Sequence, residues 1–301
     1  MNAGFQMERI SKERLKDLIP LYKNAFSKNV SLNYFQKKFD TKIFGAEYIG
    51  FIAYAKEQAA AYYGLFPCQV MYEGKILLSA VSGDTMTHTE HRGKGLFVEL
   101  SKRTFLLAKE SGVKFAYGFP NQNSLKGSID SGWKYLGDHL KNYTIKIKTI
   151  PVSRITKKLN LGRLSSVNES EQFSNSLSGK EGGCVLHDKN YFNYKSYSSK
   201  LMIAINGVKV WCKLDGILKI GDVERVKNFD ITNFLDGLRA YAFKRGIPEI
   251  QFVTSNGTWL DTELAKKLEG RKVFPVAHYD LDADGIDLSK MKYGMCDLDT
   301  F

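Results

Sequence analysis

The run from Thr87 to Phe97 constrains this chain more than any other stretch. Strand-like residues 76–86 end there, helical residues 97–110 begin there, and Arg92-Gly93-Lys94-Gly95 stands at the join. A helix opening at such a join turns unpaired backbone N–H groups and the positive end of its dipole outward. Glycines at 93 and 95 remove the side chains that would keep a phosphate from those amides. The pattern predicts an α/β unit with a cradle for a pyrophosphate.

The spacing excludes two nucleotide loops built on the same physics. A Walker loop needs four residues between its first glycine and Gly-Lys-Ser/Thr, and a dinucleotide fold needs Gly-x-Gly-x-x-Gly after its first strand. Arg92-Gly93-Lys94-Gly95-Leu96-Phe97 instead resembles the Arg/Gln-x-x-Gly-x-Gly/Ala loop of the GNAT acyltransferases, which in that family holds the pyrophosphate of acyl-coenzyme A. Phe97 departs from the pattern, standing where Gly or Ala is usual. A second motif follows the strand-like run 115–119 and Pro120: Asn121, Ser124, Ser128, then Gly132-Trp133. It is similar to the family's Asn, Ala/Ser, Tyr and Gly-Phe at the same offsets. There the Asn contacts the pantetheine arm, and the Tyr, often the acid for the leaving thiolate, is Ser128 here. The resemblance implies an acyl-CoA-dependent N-acyltransferase. Its cofactor-binding set would be Thr85, Met86, Thr87, Arg92, Gly93, Lys94, Gly95, Leu96, Phe97, Asn121 and Ser124.

The same resemblance implies direct attack by an amine on the thioester, with a backbone N–H near Thr85–Thr87 holding the developing oxyanion. Asp84 and His88 bracket the strand end and are the candidate bases. An amine of modest pKa needs no dedicated base, and that alternative stays open. His88 and His91 do not supply the three or four ligands of a zinc site, so no metal is expected.

With 301 residues the chain has room for two cores of ordinary size. Asn33-Tyr34-Phe35-x-x-Lys38 is echoed by Asn190-Tyr191-Phe192-x-x-Lys195, and Ala108-Lys109-Glu110-Ser111-Gly112-Val113 by Ala242-Phe243-Lys244-Arg245-Gly246-Ile247. The order of elements also repeats, which reads as a duplication. The expected architecture is α/β (α+β): two tandem GNAT-like lobes, each a mixed sheet flanked by helices. Residues 1–150 would be the acyl-CoA-binding domain, 151–185 a polar linker, and 186–301 a second, degenerate lobe. Where the cradle should recur, the second half offers Asn228-Phe229-Asp230, whose carboxylate would repel a phosphate. That lobe is read as a wall for the acceptor, with Tyr194, Lys195 and Tyr197 as candidate contacts.

A net charge of +12 implies an anionic partner. The basic residues form no long run and no aromatic-interleaved nucleic-acid motif, and an enzyme with two phosphorylated small substrates would also profit from a positive field. Charge alone does not separate these readings, and nucleic acid stays the rival of another class. No apolar run spans a bilayer, no signal segment opens the chain, and the four scattered cysteines form no Cys-x-x-Cys pair; a cytoplasmic enzyme is expected. Tandem GNAT-like chains resemble acyltransferases of bacterial surface-polysaccharide pathways. The acceptor this implies is a nucleotide-linked amino sugar such as a dTDP-3-amino-3,6-dideoxyhexose, taking acetyl or a longer group such as 3-hydroxybutanoyl. An aminoglycoside, polyamine or protein amine is the alternative acceptor. Oligomeric state is not legible.

Overall fold

The computed structural model describes residues 4–151, 175–177, 182–198 and 200–301; most of the expected linker, 151–185, lies outside the described residues. Two compact units divide the chain at other points than the expected 150 and 186. Unit 1 runs to Gly137 and regains Pro275–Leu288, while unit 2 holds Asp138–Phe274, Ser289–Asp299 and Phe301.

In unit 1, strands β1 (Phe5–Arg9), β2 (Ile49–Ala55), β3 (Gln58–Tyr72) and β4 (Lys75–Thr87) form an antiparallel meander. β5 (Phe115–Gly118) joins β4 in parallel, and residues 277–280 of the late strand β12 (Arg271–Asp280) lie antiparallel to β5. Helix α1 (Leu18–Phe26) and helix α2 (Leu32–Lys38, capped by the Ser31 hydroxyl) lie in the chain between β1 and β2. α3 (Leu96–Glu110) is the crossover between β4 and β5, and α4 (Gln122–Asp130) follows β5. A crossover is required there because parallel neighbours cannot be joined by a hairpin. Leu96, Leu100, Thr104 and Ala108, four residues apart, form the buried stripe of α3. Leu96, Leu100 and Ala108 pack with Tyr63, Phe105, Trp133 and Ala277 in one apolar cluster.

β6 (Lys134–Lys146) leaves unit 1, and its residues 140–146 pair antiparallel with β11 (Glu249–Ser255) in unit 2. β11 runs parallel to β10 (Leu218–Val223), which continues antiparallel into β9 (Val208–Leu214) and β8 (Leu201–Ile205). α5 (Lys189–Lys195) precedes this sheet, α6 (Ile231–Lys244) is its crossover, and α7 (Trp259–Ala265) follows β11. The core gathers Val210, Ile220, Phe234, Leu238 and Phe252 among others. Two short strands, β7 (Gly183–Val185) and β13 (Met291–Lys292), pair in parallel.

The two units share more than the aromatic strings. α3 and α6 end alike: Val113 N–H reaches Ala108 O at 3.0 Å and Ile247 N–H reaches Ala242 O at 2.9 Å, each after a glycine at positive φ. The echoed lysines, Lys38 and Lys195, are both buried, at 1% and 2% exposure. β4 and β10 each carry a register shift beside a Gly-Asp pair, Gly83-Asp84 and Gly221-Asp222. Both parallel pairings stop short of the strand ends, at Val81↔Tyr117 and at Ile220↔Phe252. Each unit therefore contains a fork between two parallel strands.

Candidate active site

The fork of unit 1 is built by β4. After Val81 the strand continues to Thr87 beside β3 alone, and among the described residues no strand of the unit pairs with residues 82–87 on the β5 side. A bulge sets the end of this run: Gly83 pairs with Gly64 and Met86 with Tyr62, leaving two residues opposite one. Asp84 takes φ +47, a left-handed conformation that Asp tolerates better than most residues. Such a bulge turns the strand and leaves backbone groups of 82–87 open to an extended ligand.

Beyond the strand the chain makes a 3-10 turn (Thr89–His91) anchored to α1, where Thr89 N–H donates to Asn24 Oδ1 at 3.0 Å. Gly93 and Gly95 then adopt φ +74 and +71, and α3 begins at Leu96 with no side-chain cap. α2, α4, α5, α6 and α7 all open under the side chains of Ser31, Asn121, Asp188, Asp230 and Thr258. Arg92, Gly93, Lys94 and Gly95 are exposed, and a Cβ built on Gly93 would meet nothing within 4 Å. The N-terminal amides of a fifteen-residue helix thus face open space between an arginine and a lysine. Arg92 Nε lies 3.5 Å from Thr87 O and Lys94 Nζ 3.1 Å from His91 Nδ1. Burial, with Lys94 and His88 adding, pushes the His91 imidazole below its ordinary range.

Phe97, the departure from the family loop, turns inward. Its ring sits edge-on to Tyr63 at 5.1 Å, and a Cβ on Gly127 of α4 would fall 2.9 Å from its Cδ1. The large ring is accommodated because α4 carries glycine where the two helices meet. Only the backbone of Phe97 is left to the cradle. Asn121 caps α4, its Oδ1 accepting from Asn123 N–H at 2.9 Å and Ser124 N–H at 3.2 Å, while Asn121 N–H donates to Ser124 Oγ at 3.1 Å. One turn on, buried Ser128 donates to Ser124 O at 2.9 Å. The Tyr135 phenol lies beside Ser128; burial raises its pKa, and the Ser128 hydroxyl partly opposes this. Where β4 parts from β5, Trp133 Nε1–H donates to Tyr63 Oη at 3.2 Å and Ser82 Oγ lies 3.5 Å from the same oxygen. Sequence reasoning missed this hydroxyl cluster, because Tyr63, Ser82, Ser128 and Tyr135 share no spacing.

The two candidate bases have different surroundings. Asp84 is buried, and Lys38 Nζ lies 2.7 Å from its Oδ2. That ammonium also stands 4.9 Å from the Phe66 ring centroid. Burial, and next the charge on Asp84, push the Tyr22 and Tyr62 phenols above their usual range. His88 is half-buried, and its Nδ1 accepts from Glu90 N–H at 3.4 Å, which leaves the proton of the neutral ring on Nε2. His88, Glu90 and His91 offer three ligand atoms within 4.8 Å of one another; the sequence reading counted only the two histidines.

Tyr194, Lys195 and Tyr197 belong to unit 2. Lys195 Nζ donates to Leu298 O at 2.8 Å and Tyr197 Oη to Asp299 O at 3.2 Å, while Tyr194 packs edge-on to Tyr197 at 5.7 Å. The neighbouring Tyr191 and Phe192 are buried core. Lys195, at 2% exposure, directs its charge to a backbone carbonyl.

Residues 6–135 match the family described as the Acetyltransferase (GNAT) domain. No curated protein matches the chain. Among solved structures, it is similar to a conserved protein of unknown function from Enterococcus faecalis V583, a probable N-acyltransferase, at 13% identity and TM-score 0.61, covering 93% of this chain and 73% of that one. A GCN5-related N-acetyltransferase from Kribbella flavida follows at 11% identity and TM-score 0.58, covering 93% and 71%. Another from Anabaena variabilis ATCC 29413 gives 11% and 0.56, covering 92% and 73%. At these identities the likeness shows the fold, and it extends well past residue 135. Among the described residues no helix is long and apolar enough to cross a membrane. The fork and the uncapped cradle lie within residues 6–135, which match the Acetyltransferase (GNAT) domain, and this match supports an acyl-CoA-dependent N-acyltransferase.

Proposed function

We propose that unit 1 holds acyl-CoA along the fork of β4 and β5 and passes its acyl group to the amine of a nucleotide-linked amino sugar. The observation that carries the first half is the uncapped, glycine-lined start of α3 at the open end of β4. The residues fit the group: amides of 93–97 with Arg92 and Lys94 suit a pyrophosphate, and backbone groups of Thr85, Met86 and Thr87 suit the amides of pantetheine. Leu96 anchors the first turn of α3 in the core, and Asn121 and Ser124 hold the start of α4. When bound, acyl-CoA supplies an activated thioester. A backbone N–H of 85–87 directed at its carbonyl would hold the charge developing there, worth about 3 kcal/mol where such donors have been removed.

Proton handling follows from the surroundings of each candidate. Asp84 is committed to Lys38, and the acceptor lone pair of His88 is committed to Glu90 N–H. These contacts favour the reading without a dedicated base, in which the amine arrives neutral. At the other end of the reaction the leaving thiolate needs a proton, and with Ser128 at the family's Tyr position we assign its donor as Tyr135, half-buried beside it.

The acceptor is read from charge and from unit 2. A net charge of +12 favours an anionic acceptor over a cationic aminoglycoside or polyamine. At the start of α6, where the cradle would recur, Asp230 Oδ1 already accepts the first amides at 2.8 and 3.2 Å. Its proposed part is in acceptor recognition. A dTDP-3-amino-3,6-dideoxyhexose, with acetyl or 3-hydroxybutanoyl as the acyl group, is the acceptor class to test. Free-thiol release from both acyl-CoAs should appear with the dTDP-amino sugar and stay at background with an aminoglycoside, a polyamine and a lysine peptide. Release with one of those alone would overturn the sugar and keep the transferase. Salt-dependent binding to DNA without affinity for CoA would overturn both.

A further inference from the structure

The fork of unit 2 is filled. Where β10 and β11 part, Gly294 bridges Thr254 in antiparallel register, Ser255 N–H donates to Tyr293 O at 2.8 Å, and Tyr293 N–H donates to Ser255 Oγ at 2.9 Å. The 3-10 turn Met295–Asp297 packs against both β10 and β11. Phe301 lies over the bulge of β10: a Cβ on Gly221 would fall 2.4 Å from its Cζ, and its ring is 5.2 Å from that of Trp211. Met295, Cys296, Asp297, Leu298 and Phe301 are all buried. Residues 293–294 thus enter the unit 2 fork from its β11 side, through a backbone bond to Ser255 and the bridge to Thr254, whereas the ligand of unit 1 is placed along β4.

A single side chain fixes that segment to β10. His187 Nδ1 lies 2.7 Å from Asp222 Oδ2 and its Nε2 lies 2.9 Å from Asp297 Oδ1. With a carboxylate on each nitrogen, the ring donates twice and is a charged imidazolium. Asp222 also accepts from Val223 N–H at 2.8 Å and from Ser176; Asp297 accepts from Gly294 N–H at 2.7 Å and Tyr191 Oη–H at 3.3 Å. The Cys296 thiol is 3.3 Å from Nε2 and 3.8 Å from Nδ1, which sets it over the ring face and away from a lone-pair direction. His187, Cys296 and Asp297 lie close enough together to suggest a metal site, but both ring nitrogens are already bonded to carboxylates.

We propose that residues 291–299 with Phe301 are the resident ligand of a second, vestigial cofactor fork, held there by protonated His187, so that the chain takes up a single acyl-CoA. The stoichiometry rests on the reading of unit 1 as the acyl-CoA site; the seating of the segment does not. Unit 2 is then a peptide-binding version of the unit 1 fork, with Asp222 at the bulge where unit 1 has Asp84.

The latch has a defined pH sense. Burial opposes the charge on His187, but the carboxylates of Asp297 and Asp222, each hydrogen-bonded to the ring, raise it well above the ordinary histidine range. Cys184 and Cys296, pushed up to about 12 chiefly by burial, stay neutral, and Tyr191 stacks on the ring at 5.1 Å. Lys195 is held by Leu298 O in the same layer. A raised histidine stabilises fully below its unfolded pKa of about 6.5, and its contribution is lost as pH rises through the folded value.

The test is amide hydrogen exchange on the full-length protein across a pH series from about 6 upward, corrected for intrinsic exchange. Amides of 293–298 should lose about tenfold or more protection as His187 deprotonates, while β9 to β11 stay protected. In His187→Gln the same amides should show the loosened level at every pH. Exchange of the segment only together with β9 to β11, at every pH, would make it ordinary core and overturn the proposal. Phe301→Ala, which removes only the ring over Gly221, should raise segment exchange and keep the pH response; it decides the matter if His187→Gln fails to fold. Calorimetric titration with CoA near neutral pH should give one site per chain. Two sites would overturn the closed fork. No binding would sink the reading of unit 1 and leave the exchange result standing.

Discussion

Buried and half-buried side chains of unit 1 carry predictions of their own, and none could be ranked from sequence. Lys38 and Asp84 form an ion pair at 2% and 7% side-chain exposure. Removing one partner of such a pair strands the other charge, so Lys38→Met should cost about 3–5 kcal/mol in urea unfolding. Adding Asp84→Asn, which keeps a residue tolerant of φ +47, should recover most of the loss. His278 behaves oppositely to His187, since burial pushes it down to about 4. A depressed histidine is neutral in the fold and charged when unfolded below about 6.5. Its contribution is therefore complete above pH 6.5 and lost towards pH 4, about 3 kcal/mol in all. His278→Phe should flatten that acid limb in a pH series of unfolding midpoints. Tyr135 and His88 are separated by one rate assay. Tyr135→Phe should lower kcat by about 10²-fold with KM unchanged, whereas His88→Ala should change kcat by only about a few-fold. The sequence marked Asp84 and His88 by their position at a strand end. It could not show Lys38, 46 positions earlier in the chain, closing on Asp84, because that contact depends on how α2 lies on the meander.

Helices and strands were more legible than their contacts. Apolar alternation gave the meander, and the fourfold spacing of Leu96, Leu100 and Ala108 gave α3, because both periods are local. The two echoes were legible for the same reason: a helix end with Gly at positive φ writes itself into six consecutive residues. The fork was not, since it is an absence of pairing between strands 30 residues apart. Nor was the reason Phe97 is tolerated in a loop where Gly or Ala is usual. That reason is Gly127, and the α3–α4 contact makes it testable. Gly127→Ala places a methyl 2.9 Å from the Phe97 ring. Shifting that ring moves the first turn of α3, whose amides form the cradle, so KM for acyl-CoA should rise severalfold while kcat at saturation holds. Phe97→Leu in the same chain should restore KM, because the smaller side chain gives the methyl room. A KM unchanged in Gly127→Ala would mean that the first turn of α3 does not depend on this contact.

At the scale of the whole chain, the expected break at 150 and the compact units differ for a reason that sequence patterns cannot carry. Unit 1 regains Pro275–Leu288 from far downstream. Ala277–Asp280 supplies the antiparallel neighbour of β5, Tyr279 stacks on Phe105 at 3.8 Å, and Ala277 and Leu281 enter the core. Lys114 Nζ meets Asp282 at 2.6 Å, and Asp287 N–H donates to Tyr72 Oη at 2.9 Å. These partners are about 160–215 positions apart in the chain, and a composition shift can mark a linker but not a returning strand. A fragment ending at 150 would therefore leave β5 with an unpaired edge and Phe105 without its stacking partner. Exposed edges and missing core both favour association over folding. The fragment should be aggregation-prone, bind hydrophobic dyes and lack measurable affinity for CoA. Joining 275–288 to residue 137 through a short flexible linker should restore a cooperative thermal transition and CoA binding, since it returns the edge strand without any of unit 2. If the fragment ending at 150 folds cooperatively and binds CoA unaided, the returning strand is an accessory and the sequence boundary is the functional one. If the joined chain folds but does not bind, the cradle needs more than the unit that carries it.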